Sequence, residues 1–192
     1  MNDEDYKKII KNNRSFSKLI NVAMKRHFFK WPFWTSLTLT LFSLVCLLNE
    51  KIYSNFTNFL KNQSMNLFSL SVSSIAIILT ALAIILVTYK PEQIKAFLIA
   101  SIRSEVSSDT KDTFKGFVSP YILGVLSWEM VAFLSLLYKI LFMFNLPYMF
   151  GLPILMISVS FIYVFFIIYS IIFLIYLVLE IIEHIILSSY YS

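Results

Sequence analysis

Glu129 is the residue of this chain whose type and setting most call for an explanation. It lies about ten residues into a long apolar run, roughly 15 Å along a helix and so near the middle of a bilayer. A carboxylate at that depth costs about 2.5–3.5 kcal/mol unless it is protonated, paired or hydrated. Two uses fit it: a group on a pore or proton path, or polar glue held by hydroxyls on the second apolar run. The next cation along this run, Lys139, is ten residues further on. That is about 15 Å of helix and a different face, so an intrahelical pair is excluded. Lys139 is expected to stretch its stem to the outer headgroups instead.

The hydroxyls that could answer Glu129 lie on a stripe. Ser69, Ser73, Ala76, Thr80 and Ala83 follow one another at steps of four and three, which keeps them on one helix face. Isoleucine and leucine cover most of the rest of that run. Inside a membrane a small, hydroxyl-bearing face either admits a second helix closely or lines a path for water. Four helices leave little room for a lumen within one chain, so a pore requires several copies. Both uses stay open at this level.

Other chemistry is thin. Glu180 and His184 are four residues apart with Glu183 beside them, which could make a weak metal or proton site. The reading preferred here is the polar end of an apolar run. The single cysteine, Cys46, excludes an internal disulfide framework or a cysteine-based zinc site. The sequence contains no phosphate-binding glycine loop, no usable pair of zinc ligands and no nucleophile elbow. The expectation is a non-enzyme with no catalytic residues, no metal and no cofactor.

The elements that must position these residues follow from composition. The chain is 58% hydrophobic and 14% charged, with three glycines and five prolines, far more apolar than a soluble domain of 192 residues. Its apolar runs are long and continuous, which points to helices and away from a β-barrel of short alternating strands. The predicted fold is an all-α membrane protein, a single domain with four transmembrane helices at about 33–48, 65–88, 118–144 and 150–179. The first is expected to be an uncleaved span entered through Trp31, Pro32, Phe33 and Trp34, an aromatic cluster suited to the headgroup level. The fourth is longer than the hydrocarbon slab and must tilt or project.

Between the spans lie segments of distinct character. Residues 1–31 read as a basic amphipathic segment. Lys7, Lys8, Lys11, Arg14, Lys18, Lys25 and Arg26 accompany apolar positions near the helical period, suiting anionic headgroups at a membrane surface or the protein's own loops. Residues 49–64 read as a polar loop. It holds two glycosylation sequons by pattern, Asn55-Phe-Thr57 and Asn62-Gln-Ser64, in a composition where chance matches are common. Residues 90–117 read as a cytoplasmic helical segment. Eight of the sixteen Lys and Arg residues precede Pro32 and five more fall between Lys90 and Lys115. The positive-inside rule then places both termini and residues 90–117 in the cytoplasm of a bacterial inner membrane. That distribution along span flanks argues against nucleic acid as the partner.

The function expected from these features is an oligomeric, membrane-embedded sensor or effector that forms a pore or perturbs the bilayer. Defence against phage is one setting for small motif-free proteins of this class. The alternative is a non-catalytic accessory subunit that anchors a cytoplasmic partner protein. A secondary transporter is the weakest of the three, for want of paired broken helices.

Overall fold

A run as rich in serine and threonine as residues 35–43 would ordinarily compete with its own helix, since hydroxyls bond backbone groups in other conformations too. Here they turn back into the helix. Thr35 and Thr38 donate to the carbonyls of Trp31 and Trp34 at 2.9 Å, and Ser36 donates to Pro32 at 2.6 Å. Thr40 donates to Ser36 and Ser43 to Thr40, both at 2.7 Å. Pro32 stands in the first turn, where its missing N–H costs nothing. The result is a regular helix, α1 (Trp31–Leu47).

The computed structural model describes residues 20–21, 23–47, 50–88, 114–143 and 153–190. Side-chain surroundings are described for most of these positions. After α1 come α2 (Glu50–Thr88), α3 (Phe114–Met143) and α4 (Pro153–Tyr190), with one π-helical turn at Met24–Phe28 before them. Among the described residues there is no strand. Among the described residues, three stretches are long and apolar enough to cross a membrane: Ser54–Val87, Phe117–Met143 and Ile157–Ile182. The fold is therefore all-helical and compatible with a multi-pass membrane protein. At 17 residues, α1 measures about 25 Å, short of a typical hydrocarbon core. The predicted segment at 90–117 and the turn at 145–148 lie outside the described residues apart from 114–117.

One expectation is overturned. Residues 50–64 do not form a loop: they are the first part of α2, which runs 39 residues without a break. The physical reason is visible in the residues. This stretch has polar side chains but neither glycine nor proline, so nothing in it forces the backbone out of the helix. Thr57 and Ser64 bond back to the carbonyls of Ser54 and Lys61 at 3.0 and 2.9 Å. Thr57, Leu60, Ser64, Ser71, Ser74 and Ile78 are buried. Their steps of three, four and seven describe one face that continues from the polar half into the apolar half. Both sequons therefore stand on a helix.

The chain divides into two compact units, Met1–Lys30 with Ile78–Leu123 and Trp31–Ile77 with Gly124–Ser192. In the second, α1 lies against α4. The Phe33 and Phe165 rings are 5.6 Å apart and those of Trp31 and Tyr176 6.2 Å, so advancing along α1 means receding along α4. Pro32, Ser36 and Thr40 form the buried side of α1, small groups that let the two backbones approach. Along α4 the rings of Phe165, Tyr169 and Phe173 stack successively at 5.8 and 5.6 Å, and Tyr176 follows, tilted, at 5.3 Å from Phe173.

In the first unit, Ala23 and His27 are buried around the π-turn while Met24, Lys25 and Phe29 are exposed. The Lys30 amide closes the turn on the His27 carbonyl at 3.3 Å. Within α3 of this unit, the buried Pro120 sits in the helix interior, where it removes one backbone hydrogen bond and favours a kink. Tyr121, buried beside it, packs its ring 6.1 Å from Phe117.

Candidate functional site

The five small residues of the α2 stripe all face outward. Ser69, Ser73, Ala76, Thr80 and Ala83 are exposed, while Ser71, Ser74 and Ile78 on the same helix are buried. Among the described residues, the buried positions at this level of α2 are a different set, two serines and an isoleucine. The outward face also extends at the same spacing, through Asn62 and Asn66 on one side and to Val87 on the other, all exposed. Steps of four and three held over this length keep the positions on one seam. The seam grades from amides through hydroxyls to alanine and valine.

The two serine hydroxyls of the stripe are satisfied locally. Ser69 donates to the Met65 carbonyl at 3.1 Å and Ser73 to the Ser69 carbonyl at 3.0 Å. Asn66 donates through Nδ2 to the Gln63 side chain at 2.7 Å. Each Ser Oγ that donates back to its own helix still has lone pairs available, and each can swing to a stronger acceptor.

Glu129 is also on the outside of α3. It is exposed on α3, and among the described residues no hydrogen bond or ion pair is formed by it. The apolar stretch that carries it runs Phe117–Met143. Glu129 stands about 18 Å from one end and about 21 Å from the other, so it lies midway along that stretch, on the exposed side of the helix. Its exposed neighbours at helical spacing are Phe133, Leu136 and Ile140. Lys139 is exposed too, nearer the Met143 end.

The polar groups that α3 does bury were not singled out from the sequence. They form a seam with α4 inside the second unit. Ser135 Oγ and Tyr163 OH are 2.7 Å apart, and Tyr138 OH and Ser160 Oγ 3.3 Å apart. The rings of Tyr138 and Tyr163 lie 5.5 Å apart. These pairs fix an antiparallel register: three residues up one helix answer three down the other. Continued at heptad spacing, the register sets Val131 opposite Ile167, Trp128 opposite Ser170 and Gly124 opposite Leu174. At the two levels where the helices are seen to touch, tyrosine faces serine, large against small. Trp128 Nε1 and Ser170 Oγ are both buried with no hydrogen-bond partner among the described residues. The readable signal was the matched spacing of Gly124, Trp128, Val131, Ser135 and Tyr138, disguised because Ser, Trp and Gly do not register as one apolar stripe.

The remaining candidates are less eventful. Glu180 is half-buried and accepts a short hydrogen bond from Tyr176 OH on the preceding turn, while the side chains of Glu183 and His184 lie outside the described residues. Among the described residues, no group of three or more metal-ligating side chains occurs. Of the basic residues, Lys25 is exposed and Arg26 half-buried; Lys7, Lys8, Lys11, Arg14 and Lys18 lie outside the described residues, as does the side chain of Cys46. On α2, Lys61 Nζ sits 5.5 Å from the centre of the Phe142 ring. No protein-family model, no curated protein and no solved structure matches this chain.

Proposed function

We propose that the chain is a four-span protein of the bacterial inner membrane whose copies associate through polar faces within the bilayer and so form a pore or perturb it. In this reading α1 completes the set of spans despite its length, with exposed Trp31 and Trp34 anchoring its entrance at the headgroups. Both termini and residues 90–117 lie in the cytoplasm by the positive-inside rule, and signals for the effector arrive from that side.

The observation that carries the reading is the outward direction of the Ser69–Ala83 stripe. A lipid-facing helix gains nothing from hydroxyls and amides repeated at one seam, whereas a helix that meets another copy gains close approach and interhelical hydrogen bonds. Copies meeting there carry a polar seam across the bilayer, and such a seam conducts water and ions if it opens.

The test is reconstitution of the full chain into anionic liposomes loaded with a self-quenching dye, with copy number read from native extracts of the same protein. Dye release that rises with protein density, from a protein recovered as an oligomer, is the expected result. A monomer that leaves the vesicles tight at every density and on addition of cytosolic extract refutes the proposal.

A further inference from the structure

We infer that Glu129 of one copy binds the hydroxyl seam of α2 on a second copy, at the level of Ser73. The inference rests on the association proposed above and goes beyond it by naming the two unlike surfaces that meet.

Three observations lead there. First, Glu129 is at mid-span and exposed, and a carboxylate left against lipid at that depth is costly. Second, the chain buries its own α2 hydroxyls elsewhere: Ser71 and Ser74 face inward, while Ser69 and Ser73 face outward. The outward set is therefore open to another molecule. Third, the depths agree. Lys61 on α2 reaches the Phe142 ring on α3, which ties those two positions to one level. In an alternating four-span chain α2 and α3 run in opposite directions. Thirteen residues from Phe142 along α3 is Glu129, and thirteen from Lys61 along α2 is Ser74, about 20 Å in each case. The reach of a lysine side chain spreads this by about one helical turn, a window that takes in Ser73 and Ala76. Parallel copies in one membrane hold these levels in common.

The chemistry also fits. Ser73 Oγ–H is held by the neutral carbonyl of Ser69, and a charge-assisted bond to a carboxylate is roughly twice as strong as a neutral one. Ala76, one turn along, leaves room for the approaching α3 backbone, as small residues do at membrane helix contacts. Acceptor on one surface and donors on another make the contact directional. It closes either reciprocally between two copies or head to tail in a ring.

The experiment is cross-linking in native membranes between two differently tagged full-length copies in a Cys46→Ser background. One copy carries Phe133→Cys, exposed one turn from Glu129, and the other Ser69→Cys, exposed on the seam one turn from Ser73, so that Glu129 and Ser73 are both kept; the control partner carries Leu79→Cys, exposed on α2 but off the seam. The expected result is a mixed-tag dimer with Ser69→Cys well above the Leu79→Cys control. In uncoupled protein, Glu129→Leu is expected to weaken association by about ten- to a hundred-fold, as for loss of a hydrogen bond to a charged group. Glu129→Gln, which keeps an acceptor but loses the charge, is expected to fall between the unsubstituted protein and Glu129→Leu. An oligomer that cross-links equally or better through Leu79→Cys, or that is indifferent to Glu129→Leu, overturns this contact while leaving the proposed function standing. A protein that stays monomeric and cross-links at neither position overturns both.

Discussion

Ser135 and Ser170 lie on facing sides of the α3/α4 seam, both fully buried, and removing their hydroxyls should have opposite effects on stability. Ser135 Oγ donates to or accepts from Tyr163 OH at 2.7 Å and also bonds the Val131 carbonyl at 2.7 Å. Ser135→Ala leaves the buried Tyr163 hydroxyl without that partner, a loss of about 1–3 kcal/mol. Ser170 Oγ has no hydrogen-bond partner among the described residues, so none of them offsets the desolvation cost of its burial. Ser170→Ala relieves that cost, about 1–3 kcal/mol on protein mutational scales, less a little for the space the oxygen filled. The two variants should differ by at least about 2 kcal/mol, roughly thirty-fold in the folding equilibrium. The assay is reversible unfolding in mixed micelles titrated with a denaturing detergent, followed by tryptophan fluorescence, to which Trp128 at the Ser170 level contributes. Equal destabilisation by the two substitutions refutes the reasoning, because Ser170 would then hold a partner and the register that sets it opposite Trp128 would need revising.

Other outcomes follow from the same packing. Gly124→Leu places a second leucine against Leu174 and should destabilise by about 1–3 kcal/mol through overpacking, read in the same titration. Ser36→Leu on the buried side of α1 should do likewise, whereas Thr35→Leu at the exposed neighbouring position should be nearly neutral; thermal aggregation temperatures in detergent separate them. Asn62→Pro should cost about 3 kcal/mol or more and lower the helix content seen by circular dichroism, because α2 is continuous there. A loop at this position would accept the same proline without loss.

The sequence alone pointed to helices long and apolar enough to cross a membrane. Continuous apolar runs, little charge and few glycines make such helices the economical answer, and three of the required length occur among the described residues. It also determined the periodicity of the α2 stripe, since steps of four and three define a helix face whatever lies beside it. It misled at residues 50–64. Polarity there suggests a loop, although lysine, asparagine and serine without glycine or proline allow a helix to continue, and back-bonded hydroxyls at Thr57 and Ser64 satisfy themselves on the way.

Only the tertiary structure decided direction. Periodicity says that residues share a face; which face turns inward depends on what the other helices offer. On α2 the inward choice went to Ser71, Ser74 and Ile78 and left Ser69 and Ser73 outside. On α3 it went to Trp128 and Ser135, whose sizes complement Ser170 and Tyr163 on α4, and left Glu129 outside. Shape complementarity between two helices is a property of pairs, and no single run of sequence contains it. For that reason the stripe and the carboxylate were legible as residues in the sequence, while their outward orientation was not.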